Sequence, residues 1–77
     1  MNRLQQQFGT VVRRRRQVAG LSQEALADRA GLHRTYVSLL ERGRRMPSIL
    51  VAQQIAKALG TTMADLLGEV EQATVRR

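Results

Sequence analysis

The chain has 77 residues, 13 Lys and Arg against 6 Asp and Glu, one His and no Cys, for a formal net charge of +7. That length is expected to hold one domain with a small core and no second domain for a small-molecule effector. Two aromatic residues, Phe8 and Tyr36, are too few for a base-stacking platform, and the lack of Cys excludes disulfides, thiolate zinc sites and thiol catalysis.

A balance this basic points to a polyanionic partner, either nucleic acid or an anionic membrane face. The charge is unevenly placed. Residues 1–45 hold ten Lys and Arg and three Asp and Glu, whereas residues 46–77 hold three of each. The longest strictly aliphatic run, Ile49 to Ala52, is far too short to span a bilayer. The Gln-rich start, Met1 to Phe8, lacks the apolar stretch of a signal peptide, so a soluble cytoplasmic protein is expected.

Glycines and one proline punctuate the chain at intervals that suit short helices, and no apolar–polar alternation marks a strand. The first predicted helix runs from about Gln5 to Ala19 and stops at Gly20. Phe8, Val12 and Ala19 define its apolar face. Arg13 and Arg14 point away from that face, while Arg15 and Arg16 point toward it or its edge. At least one of these arginines therefore needs a buried or flanking partner. The Arg15 stem is a candidate cover for the core edge, with its guanidinium reaching out to water.

The second helix follows Ser22 as N-cap and ends at Ala30 before Gly31. The third runs from about His33 to Arg42 and is stopped by Gly43. Ser48 caps a fourth that ends at Leu59-Gly60, with core candidates Ile49, Ala52, Ile55, Ala56 and Leu59. Thr61 or Thr62 caps a last short helix, Met63 to Glu69. The domain is expected over residues 1–71, with residues 72–77 a frayed tail. The fold class is all-α, a compact five-helix bundle.

The second and third helices carry the function. Leu26, Ala27 and Ala30 share one side of the second, and Leu32, Val37 and Leu40 one side of the third. A small residue at Ala27 allows a close crossing, and Gly31 gives the turn a left-handed conformation. This is the arrangement of a helix-turn-helix.

Ser22-Gln-Glu-Ala-Leu-Ala-Asp-Arg-Ala-Gly31 with the closing Glu41-Arg-Gly43 resembles the helix-turn-helix family of phage Cro and repressor proteins, the xenobiotic-response-element family. The resemblance covers about residues 8 to 68. Gly31-Leu-His-Arg-Thr-Tyr-Val-Ser38 and Glu41-Arg-Gly43 look most like the small controller proteins of restriction–modification systems.

The resemblance implies that the third helix enters the major groove of double-stranded DNA while the second crosses the backbone. Arg34 has the fork that reads guanine O6 and N7, and Thr35 offers a hydroxyl and a methyl. Ser38 lies one turn on from Arg34. Leu39 stands where some relatives place a polar base reader. His33 is a helix-start residue or phosphate neighbour. Tyr36 is either a packed ring or a phosphate donor. Gln23 matches a position that contacts phosphate and supports the recognition helix. Arg42, Arg44 and Arg45 would hold the flanking backbone. The resemblance also implies a buried ion pair between Arg16 and Glu41.

One such domain reads few base pairs, so a homodimer on a two-fold operator is expected. Leu50, Val51, Met63, Leu66 and Leu67 are candidates for an exposed apolar patch that pairs the copies. No metal site or cofactor is expected: one His, no clustered carboxylates and no phosphate-binding Gly-rich loop also leave no reading as an enzyme. The competing readings are an antitoxin that neutralises a toxin and regulates its own promoter, and a basic amphipathic membrane binder, for which a bulky apolar face is lacking.

Overall fold

The structure is a computed structural model and describes residues 2–75. Five helices follow one another: α1 (Arg3–Val18), α2 (Gln23–Ala30), α3 (Arg34–Glu41), α4 (Ile49–Ala58) and α5 (Met63–Val75). Four of them start on a side-chain cap that satisfies an otherwise orphaned backbone N–H. Asn2 Oδ1 accepts from Gln5, Ser22 Oγ from Ala25, Ser48 Oγ from Val51 and Thr62 Oγ1 from Asp65, at 2.7–3.1 Å. At α3 His33 takes the cap position without a side-chain bond.

The α2–α3 turn depends on Gly31, whose φ of 71° and ψ of 33° lie in the left-handed region. There a Cβ would be strained. Its N–H donates to Asp28 O, and the Leu32 N–H closes the turn on Ala27 O.

The core is aliphatic apart from Phe8. Val11 and Val12 from α1, Leu26, Ala27 and Ala30 from α2, and Val37 and Leu40 from α3 meet Ala52, Ile55 and Ala56 of α4 and Leu66 and Val70 of α5. α1 packs on α3 and α5, and α2 packs on α3 and α4. Gly9 makes the α1–α3 crossing close. A Cβ on it would stand 2.3 Å from the Leu40 carbonyl oxygen and 2.8 Å from that of Glu41.

Four expectations are corrected. Ala19 is exposed at the end of α1, and Val11 takes its place in the core. Ile49 is 77% exposed, because the core ends at Ala52 and Ile49, in the first turn of α4, overhangs a surface groove. Leu66 is fully buried: α5 turns Leu66 and Val70, one helical turn apart, onto the core. It therefore belongs to no exposed patch.

The fourth correction concerns the tail. α5 continues to Val75 because Leu66, Val70 and Ala73 extend one apolar stripe against the core. Arg3 Nε also donates to Thr74 O at 2.7 Å, tying the start of α1 to the end of α5. Of the tail expected to fray, residues 76 and 77 lie outside the described residues.

Candidate nucleic-acid interface

The outer face of α3 starts from its own amphipathicity. Val37 and Leu40 are fully buried, so the opposite strip of the helix faces solvent. Arg34 and Thr35 are exposed in the first turn, and Ser38 is half-buried one turn later. Tyr36 is half-buried and packs against the core. His33 is exposed beside the helix start. Leu39 is half-buried, one turn on from Thr35.

The segment after α3 adds three exposed arginines, Arg42, Arg44 and Arg45. Arg42 Nε lies 3.4 Å from Ser38 O, and the Arg45 guanidinium carbon sits 5.8 Å from the centre of the Tyr36 ring. The loop backbone is pinned as well. The Arg44 N–H donates to Leu39 O at 2.9 Å, and Gln5 Nε2 donates to Gly43 O at 2.8 Å.

α3 is held from behind by a buried polar network. Arg16 Nε and Nη2 bind Glu41 Oε2 and Oε1 at 2.6 and 3.0 Å, and Arg16 Nη1 donates to Leu21 O at 2.8 Å. The two side chains are only 11% and 2% exposed. Donating hydrogen bonds to the Glu41 carboxylate holds the Arg16 pKa above its ordinary value, against the opposing effect of burial. Gln23 Nε2 donates to Glu41 Oε1 at 3.0 Å. Its amide nitrogen is therefore turned toward the end of α3. Among the described residues no buried side-chain polar atom lacks a partner. One network thus fixes α1, α2 and the end of α3 relative to one another.

Three contributors were missed at the sequence level. Gly9 read as punctuation, although it sits inside α1 and meets the α3 backbone. Gln5 gave no signal, because its partner is a carbonyl 38 residues away. Glu69 is the third. It accepts from Arg15 Nε at 2.6 Å and also pairs with Arg14. The Arg15 guanidinium thus ends on a carboxylate of α5. The inward lean of Arg15 did signal a missing partner, but several later acidic residues fit that signal equally well.

Away from the arginines, an apolar groove of about 560 Å³ opens between the start of α1, the α3–α4 loop, α4 and α5. Met63 and Leu67 line it with Leu4, Met46 and Ile49. Leu50 is exposed on α4 beside Ile49, and Val51 is half-buried against the core. Among the described residues no group of His, Asp and Glu side chains is placed to hold a metal ion, and no helix is long and apolar enough to cross a membrane.

Two short helices joined by a glycine turn, the second presenting a polar strip from a rigid seat, define a helix-turn-helix domain. The helix-turn-helix family model matches residues 12–66. The chain is 45% identical over 67 residues to control protein C.BamHI of Bacillus amyloliquefaciens, covering 86% of this chain and 83% of that one. It is 34% identical over 73 residues to control protein C.MunI of a Mycoplasma species, covering 94% and 99%. The structure of the restriction–modification controller protein C.Esp1396I, a tetramer in complex with its natural 35-base-pair operator, superimposes with a TM-score of 0.90 at 26% identity over 99% of this chain and all of that one. The chain belongs to the helix-turn-helix family of Cro and repressor type, and its relatives include HTH-type transcriptional regulators as well as these control proteins.

Proposed function

We propose that the chain regulates transcription by sequence-specific binding to double-stranded DNA, as a homodimer on a two-fold operator, in the manner of a restriction–modification controller protein. The observation that carries this reading is the seating of α3. Its outer strip of Arg34, Thr35 and the half-buried Ser38 is backed by a buried network that leaves the helix little freedom to tilt. A helix held at a fixed angle can present side chains to base edges in a reproducible register.

Arg34 is the base reader, with Thr35 and Ser38 beside it. His33, Arg42, Arg44 and Arg45 face the flanking phosphates, and Gln23 supports α3 at the point where α2 meets the backbone. The operator complex of C.Esp1396I supports this docking, since the match covers 99% of this chain and all of that one. The apolar groove with Met63 and Leu67, together with Leu50 and Val51, is the surface that pairs the copies. Apart from Leu4 and Phe8, its lining comes from residues 46–77, the half of the chain that carries no net charge, so few like charges oppose association.

The test is selection of binding sites from a random duplex pool, with sedimentation of the free protein. Enrichment of a two-fold symmetric site, and a dimer that Leu67→Lys dissociates, is the expected result. A pool that stays unenriched while the protein is folded overturns the DNA reading. A strict monomer at micromolar concentration, on DNA as well as free, overturns the homodimer.

A further inference from the structure

The arginines that follow α3 differ in how free they are before any ligand arrives. A long charged side chain loses much rotamer freedom when it is fixed. The loop backbone here is already set, through Arg44 N–H on Leu39 O and Gln5 on Gly43 O. What remains to be ordered is the side chains. Arg45 has a neighbour suited to that task. Its guanidinium carbon lies 5.8 Å from the Tyr36 ring centre, within reach of the ring quadrupole. Tyr36 itself is held by the helical backbone and by its contact with the core. The ring is therefore the rigid member of the pair.

We infer that Tyr36 is a positioning residue for DNA binding, and that its ring face, not its hydroxyl, holds the Arg45 guanidinium beside the first turn of α3. The inference rests on the reading of α3 as the DNA-facing helix. An ion pair with a carboxylate would hold Arg45 as well, but it would cancel the charge and occupy the N–H fork. A ring face attracts the cation and leaves its N–H groups to phosphate oxygens. Ordering the side chain beforehand lowers what binding must supply. Tyr36 is placed to couple the two parts of the surface, because Arg34 and Thr35 precede it directly on the same turn.

The test combines Tyr36→Phe, Tyr36→Leu and Arg45→Ala with the double variant Tyr36→Leu/Arg45→Ala. Affinity for the selected duplex is measured at several salt concentrations, and each variant's melting temperature is recorded. Proton chemical shifts of the Arg45 side chain are read in the free protein. Tyr36→Phe should keep wild-type affinity within about two-fold, and should keep the Arg45 protons displaced upfield by the ring. Tyr36→Leu should bind about two- to five-fold more weakly and lose that displacement. In the Arg45→Ala background it should cost nothing further. An equal loss in Tyr36→Phe and Tyr36→Leu would assign the role to the hydroxyl and overturn the inference. So would an undiminished loss in the Arg45→Ala background. If Tyr36→Leu fails to fold, Tyr36→Phe and the wild-type shifts decide: an Arg45 without upfield displacement overturns the inference. If the folded wild type binds no duplex, the DNA reading falls with it, whereas binding without coupling removes this inference alone.

Discussion

Arg16 on α1 and Glu41 at the end of α3 meet in a two-pronged ion pair, with the Glu41 side chain all but sealed from water. Charges so enclosed bring little net stability as a pair, yet each is costly without the other. Glu41→Ala would strand the Arg16 guanidinium and also leave Gln23 Nε2 without its acceptor. A loss of about 3–5 kcal/mol is expected in urea unfolding followed by circular dichroism. Replacing both partners with apolar residues, as Arg16→Met with Glu41→Leu, should restore most of that loss. An unchanged melting temperature in Glu41→Ala would contradict the role given to the pair.

Gly9 offers a test of the α1–α3 crossing. Alanine is the better helix former by roughly 1 kcal/mol. In this place its methyl would press on two backbone carbonyls that cannot rotate away. Overpacking should outweigh propensity, leaving Gly9→Ala less stable by about 1–2 kcal/mol. A midpoint in urea at or above that of the wild type would show that the helices can separate freely.

The surface of α3 and the segment beyond it should divide into two kinds of arginine. Arg34→Ala should relax the preference at one base step, worth about 1–3 kcal/mol, in repeated site selection. Arg44→Ala should weaken binding to all duplexes alike and reduce the slope of log K against log salt by about 0.9. A uniform loss on Arg34→Ala would make it a phosphate contact.

Glu69 ties stability to pH. Partial burial disfavours its charged form, but hydrogen bonds from Arg14 and Arg15 outweigh this and hold its pKa below the ordinary value. A pKa depressed by folding contributes stability that is fully present above the unfolded value, about 4.3, and is lost as the pH falls through the folded value. Glu69→Gln should therefore melt slightly below the wild type at neutral pH, and the gap should narrow below about pH 4.3. The gap should also shrink with added salt, because the pairs are partly exposed. A gap that is constant from neutral to acid pH would remove the two arginines from the account.

Much of this was legible in the chain itself. Ser22, Ser48 and the Thr61-Thr62 pair mark helix starts through chemistry that acts over three residues, and the structure uses Ser22, Ser48 and, of the pair, Thr62. Gly31 marks the turn for an equally local reason. The separation of Arg34, Thr35 and Ser38 from Val37 and Leu40 follows from the angle between successive residues of a helix.

Contacts between distant helices were legible only in part. Periodicity shows that Arg15 leans inward, but it does not say which carboxylate waits there; the packing of α5 on α1 brings Glu69. It shows that Ile49, Leu66 and Leu67 are apolar, but not which of them the core has room for. The fold takes in Leu66 and leaves Ile49 and Leu67 at the groove.

The amino-acid sequence by itself determined that there are five helices, the caps at Ser22 and Ser48, the glycine turn and the strip that faces outward on α3, because each depends on neighbours within one or two turns. Only the tertiary structure decided that Gly9 touches the Leu40 and Glu41 carbonyls, that Gln23 joins the Arg16–Glu41 pair, and that α5 runs on to Val75. Those outcomes depend on the distance and angle between helices, which arise when the whole core packs at once and which no single segment encodes.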